Sequence, residues 1–141
     1  MRLKIITALL IVAVVFTLGT YFVRPSKNFK LIAATMAKEV NDKFRPQGIT
    51  GVFPAETATV YCWFEWMDAK LDTSIMASWH YTTDDIHILD YSFNIPRKGG
   101  SGSVSLSMPP GKILPAGAYR IDLKHASRVL KMLTFRILEK S

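Results

Sequence analysis

The sequence predicts an all-β domain, a two-sheet antiparallel sandwich of about seven strands, carried behind an N-terminal apolar helix and a short stem helix. Three observations lead there. Apolar residues recur at spacing two from about residue 49 onward, with turn residues at short intervals. No segment long enough for a crossover helix separates these runs, so the strands must pair antiparallel. An uncharged run of nineteen residues, Ile5 to Val23, precedes everything else.

That run is bracketed by Arg2 and Lys4 before it and by Arg24, Lys27 and Lys30 after it. As a helix it would reach about 28 Å, close to the hydrocarbon thickness of a bilayer of about 30 Å. Secretory signals usually have a shorter apolar core and a small-x-small cleavage site. Here the end reads Phe16-Thr17-Leu18-Gly19-Thr20-Tyr21, a poor site at best. Residues 1–24 are therefore expected to be an uncleaved membrane anchor, with cleavage after Gly19 as the alternative. The flanking charges do not choose an orientation. The character of the downstream domain favours a cytoplasmic N-terminus.

Residues 25–48 are expected to be an amphipathic stem helix and linker. Phe29 and Ile32 lie three apart and Met36 and Val40 four apart, Ser26 could cap the start, and Pro46 and Gly48 would stop it. It would either dock on a membrane or partner surface, through Lys27, Lys30, Lys38 and Lys43, or pack on its own domain.

The sandwich is expected over 49–141. After the short stretch Ile49–Phe53 comes a strand with Ala58, Val60, Cys62, Phe64 and Trp66 on one face. The next carries Ile75, Ala77, Trp79 and Tyr81, and Thr82-Thr83-Asp84-Asp85 turns the chain. Leu89, Tyr91, Phe93 and Ile95 follow at spacing two. Gly100-Ser101-Gly102-Ser103 reads as a flexible loop, before a short strand marked by Val104, Leu106 and Met108. Tyr119, Ile121 and Leu123 mark another, and Leu133, Phe135 and Ile137 share a face of the last.

Charge and composition narrow the function. The chain has 141 residues and a net charge of +7, but residues 1–48 hold eight basic and two acidic side chains while 49–141 hold ten and nine. The basic excess thus lies beside the apolar run, a membrane pattern and not a nucleic-acid one. A single cysteine excludes a disulfide scaffold. No phosphate loop, dinucleotide fingerprint, zinc-binding helix or nucleophile elbow is present. The reading is non-enzymatic, with no cofactor, no small-molecule substrate and no nucleic acid.

Two residue sets remain as candidate sites. Tyr61 and Trp63 point away from the apolar face of their strand and would form a partner-binding patch if exposed. The alternative is that the stem helix covers them. His80, Asp84, Asp85 and His87 lie within eight residues of a hairpin and could meet at one metal ion; otherwise the two aspartates simply bond backbone N–H groups of the turn.

The segments Val60-Tyr61-Cys62-Trp63-Phe64, Ala77-Ser78-Trp79-His80-Tyr81, Leu114-Pro115-Ala116-Gly117-Ala118-Tyr119-Arg120-Ile121 and Leu133-Thr134-Phe135 resemble small bacterial immunoglobulin-like modules. Those share an aromatic first core strand, a Trp on the next, a Gly-x-Tyr-Arg strand and a closing Phe strand. Cys62 has no partner, so the bridge of antibody domains is missing. The resemblance implies a module at the inner membrane with its C-terminal domain in the periplasm or at the cell surface, bound to a protein partner. It would be secreted instead if the N-terminal segment were cleaved. A second likeness, to the globular chain of two-chain pilins, implies an exported structural subunit of a pilus-like appendage or envelope complex. The Gly-Phe processing site and following glutamate of pilins are absent from the N-terminal run.

Overall fold

The computed structural model describes residues 29–141 in full and residues 15–20 as backbone. The chain forms β1 (Val15–Thr20), β2 (Lys30–Val40), β3 (Pro46–Ile49), β4 (Val52–Phe53), β5 (Thr59–Met67), β6 (Ser74–Tyr81), β7 (Ile86–Asn94), β8 (Gly99–Ser107), β9 (Gly117–His125) and β10 (Arg128–Ile137). One sheet has the order β1-β8-β5-β2-β3 and the other β4-β10-β9-β6-β7. Every pairing is antiparallel except that of β4 with β10.

The inward face of each strand follows the alternation read from the sequence. Val60, Cys62, Phe64 and Trp66 of β5 meet Ile75, Ala77, Trp79 and Tyr81 of β6 across the core, and all eight are buried. Tyr119 of β9 and Phe135 of β10 stack with ring planes 8° apart and centroids at 4.9 Å. Trp79 meets Phe135 edge-on at 6.2 Å. Offset and edge contacts of this kind add to the transfer free energy of the rings.

The two tyrosines also fix the loop before β9. Tyr119 donates its hydroxyl proton to the Pro115 carbonyl and Tyr81 donates to the Ala116 carbonyl, both at 2.5 Å. Gly117 follows with φ of +139°, and a Cβ there would stand 2.6 Å from Thr83 Oγ1 and 2.7 Å from the Tyr81 hydroxyl. Only glycine fits that corner. The Gly-x-Tyr pattern is thus a packing requirement of the joint between the β6–β7 turn and β9.

The expected stem helix is not formed. Residues 30–40 are strand β2, paired with β5 and β3, so the sandwich starts well before residue 49. Strand β2 carries a β-bulge. Leu31 pairs with Trp66 and Ala33 with Glu65, leaving Ile32 as the extra residue; Ala34 and Met36 then stand opposite Phe64 and Cys62. The bulge moves the inward face from Leu31 to Ala34 and Met36 and leaves Ile32 50% exposed, so the strand shows no regular alternation.

The glycine–serine segment also behaves otherwise than expected. Gly100–Ser103 belong to β8 and are paired with β5, with Ser101, Ser103 and Ser105 buried. Gly100, Gly102 and Ser103 stand opposite Trp66, Phe64 and Trp63. The membrane anchor expected over 1–24 lies, apart from Val15–Thr20, outside the described residues. Among the described residues no helix is long and apolar enough to cross a membrane.

Candidate functional site

The outer face of the β9-β6-β7 sheet carries a polar cluster that the strand registers assemble. Ser78 stands between Asp90 of β7 and Asp122 of β9, and His80 stands between His87 and Arg120. A second bulge makes this possible. Trp79 pairs with Leu89 and His80 with His87, so Ile88 is the extra residue. Simple alternation would put Ile88 beside Asp90; the bulge turns His87 to that face instead.

Two linked sets result. On the β7 side, Ser78 Oγ donates to Asp90 Oδ1, and His87 Nε2 lies 2.7 Å from the same oxygen. Both bonds hold the Asp90 carboxyl below the ordinary carboxylate range, Ser78 contributing most. On the β9 side, Asp122 takes an ion pair from Arg120 at 3.1 Å and faces His80 Nε2 at 3.6 Å. The Asp122 side chain is only 10% exposed. The imidazole of His80 is pushed below its usual pKa, first by burial and then by the Arg120 charge, with Asp122 opposing. The two rings lie 5.1 Å apart.

The chemistry available is charge and proton binding. A serine and histidine that share one carboxylate do not form a nucleophile–base pair, because the base is beside the acid and not beside the hydroxyl. Cys62 is buried, and desolvation raises its thiol to about 12, so it is not a nucleophile at neutral pH.

His80 and His87 do face one another on adjacent strands, as the sequence suggested, but Asp84 and Asp85 are not brought to them. The turn that holds these aspartates bends toward β9, where Thr83 Oγ1 accepts from the Ala118 amide at 2.7 Å. Among the described residues no group of three His, Cys, Asp or Glu is placed to hold a metal ion. The carboxylates beside the imidazoles are Asp90 and Asp122, which alternation could have put on the outer faces but not on neighbouring strands.

Tyr61 and Trp63 do lie on the outer face of β5. Trp63 is buried and donates its indole N–H to the Phe44 carbonyl at 2.9 Å, while Tyr61 is half-buried. The turn between β2 and β3 covers Trp63, in place of the helix expected there.

A search of solved structures matches an immunoglobulin-like protein from Pseudomonas aeruginosa with a TM-score of 0.57 and 10% sequence identity, covering 79% of this chain and 98% of that one. The fold is immunoglobulin-like. No family model matches the chain, and no curated protein matches its sequence. Within this fold Trp79 is buried in the core, Tyr119 donates its hydroxyl proton to the carbonyl of Pro115 four residues upstream, and the single cysteine, Cys62, is free and buried.

Proposed function

We propose that the chain is a non-enzymatic, membrane-tethered protein-interaction module, and that its partner meets the outer face of β9, β6 and β7. The observation that carries this is the paired, partly exposed charge cluster on that face, with His87 and Asp90 side chains 51% and 42% exposed. Met132 on β10, opposite Asp122, is 57% exposed and Met76 on β6 is 37% exposed. Apolar anchors beside oriented charges suit a protein surface, where charge sets register and methionine adapts to the partner. The immunoglobulin-like fold is shared by many cell-surface domains, which supports the same reading.

The tether is assigned to residues 5–23 on the strength of the uncharged run, and the domain is placed outside the cytoplasm on the strength of its immunoglobulin-like fold. An exported structural subunit is the second reading. The pairing of an N-terminal segment, Val15–Thr20, along the edge of β8 favours it, because strand addition is how such subunits join.

A photo-reactive residue placed at Met132 tests the interaction face in cells. One discrete adduct is expected there and none from Ile49, which is 63% exposed on the other sheet. Adducts from Ile49 alone, or none from Met132, would overturn the assignment. Intact mass from carbonate-washed membranes tests the tether, and a product shortened by about twenty residues would replace it with cleavage.

A further inference from the structure

Sheet edges are normally protected, by charge, by proline, by bulges or by being very short, because an open edge pairs with any available strand. Three edges here follow that rule. Strand β7 presents His87 and Asp90 and carries a bulge, β3 begins with Pro46, and β4 has two residues. Strand β8 does not. Its nine residues, Gly-Gly-Ser-Gly-Ser-Val-Ser-Leu-Ser, hold no charge and no proline. Nor does the preceding part of the chain supply a neighbour. Strand β7 pairs with β6 in the other sheet, and only Ile95–Lys98 connect it to β8. The free edge of β8 is taken by Val15–Thr20, six residues in continuous register from Val15 opposite Val104 to Thr20 opposite Gly99.

We propose that the outer edge of β8 is a strand-accepting site filled by Val15–Thr20 of the same chain, and that this docking and insertion of the Ile5–Val23 run into a bilayer are alternative uses of one segment. The same chain can reach. From β1 to β2 the path crosses β8 and β5, three strand spacings or about 14 Å, and residues 21–29 can extend to about 30 Å. The uses compete because a helix spanning the membrane needs nearly all nineteen residues of the run, while β1 holds six of them extended. Withdrawal into the membrane would uncover an unprotected edge, ready for a strand from another subunit. The competition half of the proposal rests on the tether proposed above; the docking half does not.

Oxidative cross-linking of the full-length chain tests both halves separately. Leu18 and Ser101 are register partners, whose Cα atoms in an antiparallel pair stand about 4.5–5.5 Å apart, within disulfide reach. The variant Leu18→Cys/Ser101→Cys should form a reduction-sensitive, fast-migrating monomer at least tenfold more than Leu18→Cys/Ser105→Cys, whose positions are about 13 Å further out of register. Native Cys62 gives little background because it is buried. The cross-linked monomer should leave membranes in carbonate while the reduced chain stays. Equal yields from the two variants, with Cys62 still shielded from alkylation and hence the fold intact, would overturn docking. A covalent dimer would overturn the same-chain occupant. Cross-linked monomer retained in the carbonate pellet would overturn the competition. A reduced chain that never pellets would remove the tether, and with it the competition, while leaving the docking result to stand.

Discussion

His80 and His87 face one another across β6 and β7 with ring centroids 5.1 Å apart, yet each is turned to a different carboxylate, His80 to Asp122 and His87 to Asp90. Two like-charged imidazolium rings at that distance would repel, and Arg120 and Lys124 on β9 add to the cost at His80. The cluster therefore favours a neutral His80.

Stability should fall on acidification. The His80 pKa is lower in the fold than in the unfolded chain, so the unfolded state binds the proton first. The contribution is complete above the unfolded value of about 6.5 and is lost as pH drops from there toward the folded pKa. The depressed Asp90 acts in the same direction in a separate window, below the ordinary carboxylate pKa. Urea titrations at pH 7.5 and 5.5 should show a clear loss for the wild type and a smaller one for His80→Gln. An unchanged pH dependence in the variant would show that His80 is not the responsible group.

Truncation of Phe135 should be among the most damaging core changes. Its ring stacks on Tyr119 and meets Phe53 at 5.7 Å and Trp79 at 6.2 Å. Phe135→Ala is expected to cost about 3–5 kcal/mol, a large share of the stability of a domain of this size. The shift of the denaturant midpoint at constant slope measures it. A loss below about 1 kcal/mol would mean that the two sheets close over the gap.

Gly117→Ala and Gly111→Ala separate backbone strain from steric conflict. Both glycines have positive φ, but a Cβ at Gly111 meets nothing within 4 Å whereas one at Gly117 collides with Thr83 and Tyr81. Strain alone should cost about 1 kcal/mol at Gly111, and considerably more is expected at Gly117. Melting temperatures of the two variants decide, with equal values counting against the packed corner.

Cys62 should resist alkylation until the domain unfolds. With the thiol raised to about 12 by burial, its thiolate fraction at pH 8 is roughly one in ten thousand, and the sulfur has no access to reagent. Labelling by iodoacetamide should track unfolding in urea. Rapid labelling of the native protein would place Cys62 nearer the surface.

Period-two spacing made the faces of β5, β6, β9 and β10 legible, because a half-buried strand must alternate and these four do so without interruption around their core residues. Strand β2 was not legible, since its bulge at Ile32 breaks the alternation that identifies a strand. In β8 the half around Val104 and Leu106 was legible, but over Gly100–Ser103 propensity argues for a loop; pairing with β5 and burial beside aromatic residues outweigh that preference.

The candidate site divides in the same way. The sequence by itself placed His80 and His87 on the two arms of one hairpin turn, and marked Cys62 as a core residue because it alternates with Val60 and Phe64. Only the tertiary structure decided that Asp90 and Asp122 are their carboxylates, that Trp63 is covered by the turn at Phe44, and that β8 has Val15–Thr20 beside it. Alternation is a local property written along each strand. Which strands become neighbours, and in what register, depends on bulges and on how two whole sheets bury their faces together, and no single segment carries that information.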